Sequence, residues 1–156
     1  MAPITPCLWF DTDGEKAANL YVSIFDNSRI TGITHYGDAG PRPAGAVLTV
    51  AFELEGRPFL ALNGGPEHRF NEAISFQVQR ATQDEVDRLW EQLSAGGEEG
   101  PCGWLKDRFG LSWQIIPAEL LDLIGDPDPA RAERATRAML SMGKIDIEAV
   151  CRAADG

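Results

Sequence analysis

The stretch CGWLKDRFGLSWQIIP, Cys102–Pro117, decides how we interpret the fold. It predicts a β-hairpin, because two apolar and aromatic runs flank a charged turn at Lys106-Asp107-Arg108. The second run carries one amide side chain, Gln114, in the middle of an otherwise apolar and aromatic strand. A buried amide needs hydrogen-bond partners, which either the protein or a ligand can supply. Gln114 is therefore the first candidate for a functional side chain.

The residues before this hairpin predict a strand, a helix and a further short strand. Ala73–Gln79 alternates apolar and polar side chains, which is typical of a half-buried strand. Thr82–Gly97 has apolar residues at helical spacing and begins with Thr82 and Glu85, the pattern of a capping box. Glu98–Cys102 is a candidate short strand. With the hairpin, the order becomes strand, helix and three strands.

The first half of the chain shows the same order of elements. Pro6–Thr12 predicts a strand, and Thr12 with Glu15 predicts a capping box at the start of a helix. Three strands follow, the last two joined by a tight hairpin at Glu55-Gly56. The two predicted capping boxes lie 70 residues apart, which indicates an internal repeat of one supersecondary unit.

After Pro117 the sequence predicts only helices. Asp128 followed by Pro129 predicts a helix start, and Asp146 predicts another. We expect a helical tail that lies against the main body or against a partner subunit. The predicted organisation is one compact domain with a first module at residues 1–66, a second module at residues 67–117 and a helical tail at residues 118–156.

Composition and charge exclude two classes of partner. The chain has 156 residues, of which 44% are hydrophobic, enough to form a substantial core. Its net charge of -10 repels phosphate backbones, so we expect no nucleic-acid partner. No apolar run approaches the roughly 20 residues that a membrane helix needs, and no secretory signal is visible at the start. We therefore expect a cytoplasmic protein that does not bind membranes.

Few residues offer the chemistry of a catalytic centre. Cys7, Cys102 and Cys151 are far apart and odd in number, which predicts no disulfide framework and no zinc site. We expect all three to be buried or semi-buried thiols, and we expect Cys7 to be inert. His35 and His68 are interpreted as surface residues, although His35 is a conventional base that could approach a cavity mouth.

Two strand-helix-three-strand modules in one short chain resemble the vicinal-oxygen-chelate superfamily, which includes glyoxalase I, extradiol dioxygenases, and bleomycin and fosfomycin resistance proteins. The segments WFDTDGEKAANLYVSIF, LALNGGP, ISFQV, EVDRLWEQLSAGG and CGWLKDRFGLSWQIIP are similar to its bacterial PhnB-like branch, often labelled 3-demethylubiquinone-9 3-methyltransferase. The resemblance covers roughly residues 3 to 150. It implies an α+β fold in which two βαβββ modules form an open eight-stranded barrel around a pocket, followed by the helical tail. The modules pair either within one chain or across a dimer.

The resemblance also implies where the superfamily's metal ligands would lie. Metal-using members take one ligand from the first and one from the last strand of each module, and the last-strand ligand is typically a Glu four residues after a turn glycine. Counting from Gly110 places Gln114 at this position. The other three positions would be occupied by Thr5 or Pro6, by Ala61 and by Ser75. Because these side chains are neutral or lack a donor, we expect no metal and no cofactor.

The predicted site is a pocket without a metal. Its predicted lining residues are Trp9, Ala61, Asn63, Ser75, Gln77, Trp104 and Gln114. His35 and Phe70 are predicted at the pocket mouth or in a dimer loop. Aromatic walls with a few polar groups suit a flat or apolar ligand, so the predicted function is binding of a small, partly apolar or aromatic molecule by a homodimer.

The alternative is an enzyme of the same superfamily, for which the sequence assigns no catalytic residue. The reaction would be of the lyase, isomerase or dioxygenase type, or the methyl transfer named in the family label. The missing ligands disfavour metal-dependent chemistry. Methyl transfer is disfavoured because WFDTDGEKAAN has one Gly and no Gly-x-Gly loop after the first strand.

Overall fold

A computed structural model describes residues 3–156. The first module contains β1 (Cys7–Phe10), α1 (Gly14–Ile24), β2 (Arg29–His35), β3 (Val47–Leu54) and β4 (Arg57–Asn63). The second contains β5 (Ser75–Arg80), α2 (Gln83–Ser94), β6 (Glu98–Glu99), β7 (Trp104–Lys106) and β8 (Ser112–Pro117). The tail contains α3 (Ala118–Ile124), α4 (Pro129–Leu140) and α5 (Ile147–Asp155).

The strands form two four-stranded sheets with the same topology. The strand order is β1-β4-β3-β2 in the first sheet and β5-β8-β7-β6 in the second. In each sheet the first and last strands of the module pair in parallel, and the other pairs are antiparallel. The repeated order and topology confirm the predicted α+β fold with two βαβββ modules and C-terminal helices. The chain divides into two compact units, one ending at Phe70 and the other beginning at Asn71 and including the tail.

Helix α1 covers one face of the first sheet. The rings of Tyr21 on α1 and Phe52 on β3 lie with their centroids 6.3 Å apart. Side chains alternate between the faces of a strand, so this face of the sheet is the buried one and the other is partly exposed. The buried residues of the unit include Leu8, Phe10, Ala17, Ala18, Tyr21, Ile24, Val50, Phe52 and Ala61.

The start of α1 differs from the prediction. The N-cap residue is Asp13 rather than Thr12, and its side chain makes no capping hydrogen bond. Instead, Oδ1 of the buried Asn63 accepts a 2.8 Å hydrogen bond from the backbone N–H of Gly14. The predicted Thr12/Glu15 capping box is therefore wrong. A side chain at the end of β4 satisfies an amide of the first turn that would otherwise lack a partner.

Helix α2 begins as predicted. Thr82 Oγ1 accepts a 3.3 Å hydrogen bond from the Glu85 backbone, and the Glu85 carboxylate accepts a 3.1 Å bond from the Thr82 backbone. This reciprocal pair confirms the predicted capping box. The helix packs on one face of the second sheet. The buried residues at this contact include Val86, Leu89, Trp90, Leu93, Leu105, Trp113 and Ile115.

The turn of the Cys102–Pro117 hairpin lies later than predicted. Lys106 is the last residue of β7 and pairs with Ser112, so the turn comprises residues 107–111. The buried Asp107 organises this turn, because its Oδ1 accepts hydrogen bonds from the backbones of Phe109 and Leu111 at 2.8 and 3.1 Å. The charged residues of this segment are therefore split between a strand end and the turn.

The tail helices share a small apolar core with the end of β8. Asp128 and Asp146 cap α4 and α5 with their side chains, as predicted. The buried residues of this core are Ile116, Leu120, Leu123, Ala135, Ile145, Val150 and Ala154. None of the helices in residues 3–156 is both long and apolar enough to cross a membrane.

Candidate functional site

One face of the second sheet packs on α2. The opposite face carries the side chains that alternate with the buried ones, and we call it the polar face. The register pairs Gln114 with Gln77 on β5 and with Trp104 on β7, so these three side chains project from the same face. Trp113 projects from the other face and is buried. The polar face carries Ser75, Gln77, Trp104, Lys106, Ser112 and Gln114. The structure thus brings the four predicted site residues of the second module onto one surface.

Gln114 finds a partner within the protein. Its Nε2 donates a 2.8 Å hydrogen bond to Oγ of Ser75, and both side chains are half-buried. Gln77 is exposed, and its Oε1 accepts a 3.3 Å hydrogen bond from Nε2 of Gln79. The Gln114–Ser75 bond joins β8 to the parallel edge strand β5.

Ser75 and Gln114 occupy positions at which the superfamily resemblance places metal ligands. Both side chains are neutral, and the Gln114 amide is committed as a donor to Ser75. Protein sites for divalent metals are built from carboxylate, imidazole or thiolate ligands with neutral groups as additions. These two residues therefore do not fit the superfamily metal. Within the described part of the chain, no three His, Cys, Asp or Glu side chains form a cluster that could hold a metal ion.

A cleft of about 530 Å³ lies beside β7 in the second unit. This volume is within the range of small-molecule sites, roughly 300–1,000 Å³. The backbone of Gly100–Cys102 forms part of its wall. The other lining residues are Glu72, Glu98, Glu99, Trp104, Leu105, Lys106 and Ser112. Of the predicted site residues, Trp104 lines this cleft.

Ser112 is the polar group of the cleft that lacks a protein partner. The residue is 1% exposed, and its Oγ is the buried side-chain polar atom for which residues 3–156 provide no hydrogen bond. A buried hydroxyl without a partner costs about 1–3 kcal/mol. A ligand that bonds this hydroxyl would remove the cost. The sequence analysis missed Ser112, because a serine in an alternating strand carries no signal of its own.

An ion pair spans the cleft lining. Lys106 Nζ contacts Glu72 Oε1, and the hydrogen bond from Lys106 together with its charge lowers the pKa of Glu72. In return, the Glu72 hydrogen bond and charge raise the pKa of Lys106, to which the nearby charge of Glu98 also contributes. Lys106 is therefore a cation paired with Glu72, with the charge of Glu98 nearby.

The tail holds the backbone wall of the cleft. The backbone N–H groups of Cys102 and Gly103 donate hydrogen bonds of 2.8 Å to the carbonyl oxygens of Met142 and Gly143. Gly103 has a φ of 81°, and a Cβ atom there would lie 2.9 Å from the carbonyl oxygen of Ile115. Only glycine fits at position 103, where the chain lies close to β8. The contact with β8 on one side and the hydrogen bonds to the tail on the other together fix this wall of the cleft.

Trp9 in the first unit supports a loop. Its Nε1 donates a 2.8 Å hydrogen bond to the carbonyl oxygen of Gly65, and its ring meets His68 edge-on with centroids 4.8 Å apart. A Cβ atom on Gly64 would overlap the Trp9 ring, which explains the small residue there. Trp9 is half-buried, and these contacts give it a structural role in the first unit.

Ala61 and Asn63 face α1. Ala61 is 1% exposed, and its Cβ lies 3.3 Å from where a Cβ on Gly14 would be. Asn63 is buried, and besides capping Gly14 its Nδ2 donates a 3.1 Å hydrogen bond to the carbonyl oxygen of Val47. Both side chains are committed to the packing of α1 on the sheet. Ala61 projects from its sheet toward α1, whereas Gln114 projects from the face of its sheet that lies away from α2.

The remaining candidates of the first unit lie at its surface. His35 ends β2 and is exposed, and the half-buried Phe70 meets Phe10 edge-on with ring centroids 5.2 Å apart. Cys7 is exposed at the start of β1, so the prediction that it is buried or semi-buried is wrong; partial desolvation of its thiol nevertheless raises the pKa of Cys7. A reactive thiol needs the opposite shift, so this geometry favours the predicted inert role.

The family model of the 3-demethylubiquinone-9 3-methyltransferases matches residues 2–116. The chain belongs to this family. The solved structure of a PhnB protein from Bacillus cereus is 32% identical and covers 75% of this chain and 100% of its own, with a TM-score of 0.67. The family match ends at residue 116, before the first tail helix of this PhnB-like chain begins.

More distant structures share the fold of this PhnB-like chain. A protein from Pseudomonas aeruginosa is 20% identical, with a TM-score of 0.62 over 75% of this chain and 98% of its own. The fosfomycin resistance protein FosX from Mesorhizobium loti is 13% identical, with a TM-score of 0.56 over 80% of this chain and 98% of its own. At such identities the likeness shows the glyoxalase-like fold alone. No curated protein sequence matches the chain.

Proposed function

We propose that this PhnB-like protein binds a small, partly apolar or aromatic molecule in the cleft beside β7, without the metal of its superfamily. The observation that carries the proposal is the buried, unpartnered hydroxyl of Ser112 in the cleft lining. Native proteins rarely leave a buried polar side chain without a partner, and those that do are candidates for ligand sites. The hydroxyl would fix the orientation of a ligand whose body lies against apolar walls.

The walls of the cleft support this proposal. Trp104 is half-buried and projects from the polar face, so part of its indole ring is available to an apolar or aromatic ligand. The exposed Pro101 adds apolar surface. Large apolar walls with few convergent polar groups are the usual composition of small-molecule sites.

Methyl transfer, which the family's description names, is the alternative proposal. A methyl donor of the nucleoside type is commonly held at a glycine-rich turn before the first helix of a parallel sheet. Here the first backbone N–H of α1, at Gly14, is already bonded to the Asn63 side chain. The first sheet is also mixed rather than parallel. These two features place ligand binding ahead of methyl transfer.

A thermal-shift screen of small aromatic and amphipathic compounds tests the proposal. Compounds that bind should raise the Tm of the wild-type protein, and the increase should disappear in Ser112→Ala. Ser23→Ala, which alters an exposed serine of α1, is the matched control and should keep the increase. S-adenosylmethionine and divalent metal salts belong in the same screen. The proposal is overturned if Ser112→Ala retains the full increase, or if only a metal salt or the methyl donor raises the Tm.

We also propose that the protein forms the homodimer expected from its family. Leu121 on α3 and Leu140 on α4 are exposed, as is Ile74 before β5, and large apolar side chains at a surface are candidates for subunit contacts. Light scattering at micromolar concentration should give the mass of two chains. A mass of one chain under these conditions would rule the dimer out.

A further inference from the structure

We infer that the ligand of the cleft is an organic cation, such as a protonated arylalkylamine or a quaternary ammonium compound; this inference rests on the proposed function. The ionisable lining consists of three carboxylates, Glu72, Glu98 and Glu99, and one ammonium group, Lys106, which gives a formal charge of -2. A group of acidic residues alone does not define a site. Here Ser112 lines the same cleft and its buried hydroxyl has no hydrogen-bond partner within residues 3–156, and this second observation points to a ligand.

The cleft is poorly suited to an anion. Lys106 is the cation of the lining, and its Nζ is paired with Glu72. An anionic ligand would have to displace the Glu72 carboxylate and would then lie near the charge of Glu98, which also acts on Lys106. The pairing therefore leaves the lining without a free positive charge, and the carboxylates determine the sign of its potential.

Trp104 and Ser112 offer what a cation of this kind needs. The face of an indole ring attracts ammonium groups, most strongly where water is partly excluded, and Trp104 is half-buried at the cleft. The Ser112 hydroxyl can accept a hydrogen bond from an N–H group or donate one to a carbonyl of the ligand. Glu98 pairs in register with Lys106 and therefore shares the face of Trp104 and Lys106. Glu99, in contrast, pairs with the buried Leu105, and its Oε1 accepts a 2.8 Å hydrogen bond from Nε1 of Trp90 on α2.

The charge of the whole chain acts in the same direction. The net charge of -10 creates a negative potential that attracts cations and repels anions before they reach the cleft. This long-range effect is screened by salt within about 10 Å at 0.1 M ionic strength. Cation binding should therefore weaken as the salt concentration rises, whereas binding of a neutral compound should not.

Isothermal titration calorimetry with three compounds that share a benzyl group tests the inference. Benzyltrimethylammonium is the cation, neopentylbenzene is its neutral analogue of the same shape, and phenylacetate is an anion with the same ring. The cation should bind the wild-type protein about tenfold more tightly than the neutral analogue, and phenylacetate should bind most weakly. Trp104→Leu tests whether each signal comes from the cleft, because the quaternary ammonium and neopentylbenzene carry no N–H or carbonyl group that could bond to Ser112.

Two charge-neutralising variants distinguish the effect of a cleft carboxylate on binding from the effect of the net charge of the protein. Glu98→Gln should weaken binding of the cation about three- to tenfold and leave the neutral analogue unaffected. Glu91→Gln removes the same charge from an exposed position on α2 and should change cation binding less than twofold. If the two variants weaken cation binding equally, the cleft carboxylate has no specific role and the inference is overturned.

The outcomes distinguish the inference from the proposed function. If the neutral analogue binds as tightly as the cation, the ligand class is wrong while the proposed function stands. If none of the three compounds binds at millimolar concentration, the proposed function fails together with the inference. Preference for the cation that depends on Glu98 supports both.

Discussion

Nε2 of Gln114 on β8 donates a 2.8 Å hydrogen bond to Oγ of Ser75 on β5. The two residues come from parallel strands of one sheet, and Gln114 also pairs in register with Gln77 and Trp104. In metal-using members of the superfamily these positions are expected to hold ligands. Here Ser75 and Gln114 are neutral, and the hydrogen bond between them links two strands at the polar face.

The first prediction concerns this link. Gln114→Ala and Ser75→Ala should each lower the free energy of unfolding by about 1 kcal/mol, because each leaves a half-buried polar group without its partner. The effects should not add, and the coupling in a double-mutant cycle should be about 0.5–1.5 kcal/mol. Urea unfolding of the wild type, both single variants and the double variant provides the measurement. Additive effects would show that the two side chains do not interact in solution.

The second prediction concerns the cost of keeping Ser112 buried. Since Ser112 Oγ has no hydrogen-bond partner in the described part of the chain, residues 3–156, Ser112→Ala should raise the free energy of unfolding of the ligand-free protein, by about 1 kcal/mol. Ser75→Ala provides the contrast, because the Ser75 hydroxyl has a partner and its removal should destabilise. Chemical denaturation of the ligand-free proteins gives both values. A clear loss of stability in Ser112→Ala would mean that the hydroxyl is satisfied within the protein.

The third prediction concerns the cap of α1. Asn63→Ala removes the partners of the Gly14 N–H and the Val47 carbonyl group, both within the packed part of the unit. The free energy of unfolding should fall by about 2–3 kcal/mol. Asn19→Ala, an exposed position of α1, should change it by less than about 0.5 kcal/mol. Equal effects of the two changes would contradict the role of Asn63 as the cap.

Local chemistry explains why much of the fold was predictable. The Glu55-Gly56 turn has positive φ angles of 50° and 78°, as a two-residue type I′ hairpin requires, and the glycine that favours such a turn lies within the turn itself. The Thr82/Glu85 capping box likewise depends on residues three positions apart. Patterns of this kind are read directly from adjacent residues, and here they located the elements of both modules.

Long-range contacts explain what was missed. Asn63 caps α1 from 49 residues away, so no local pattern links it to Gly14, and the nearer Thr12 was chosen instead. Ser112 could not be recognised from the sequence either. Alternation with Trp113 predicts which face of the strand carries Ser112, but it does not predict that the hydroxyl has no hydrogen-bond partner within residues 3–156. The ion pair of Lys106 with Glu72 also joins residues from different elements. The candidate cleft therefore depends on contacts between strands and loops that the sequence alone does not show.

The fourth prediction concerns the pH dependence of tail docking. Hydrogen bonds from Lys144 and Gln83 lower the pKa of Asp87 on α2, so the folded protein favours its ionised carboxylate. Such a group stabilises the fold at pH values above its unfolded pKa, and this contribution is lost as the pH falls through the lowered folded pKa. The stability difference between the wild type and Asp87→Asn should be largest above about pH 5 and should vanish toward about pH 2.

Urea unfolding across this pH range measures that difference. Asp38→Asn, an exposed loop position of the first unit, provides the control and should show no comparable pH dependence. A difference between the wild type and Asp87→Asn that grows toward acidic pH would have the wrong sign. That result would show that Lys144 does not hold Asp87 in the folded protein.

A crystal structure of the protein with the compound that most raises its Tm would locate the ligand. We predict that the compound lies in the cleft beside β7, against Trp104, with a polar atom about 3 Å from Ser112 Oγ. The Ser75–Gln114 hydrogen bond should persist in that structure. An empty cleft with the compound bound elsewhere, or a divalent cation coordinated by Ser75 and Gln114, would contradict the proposed function.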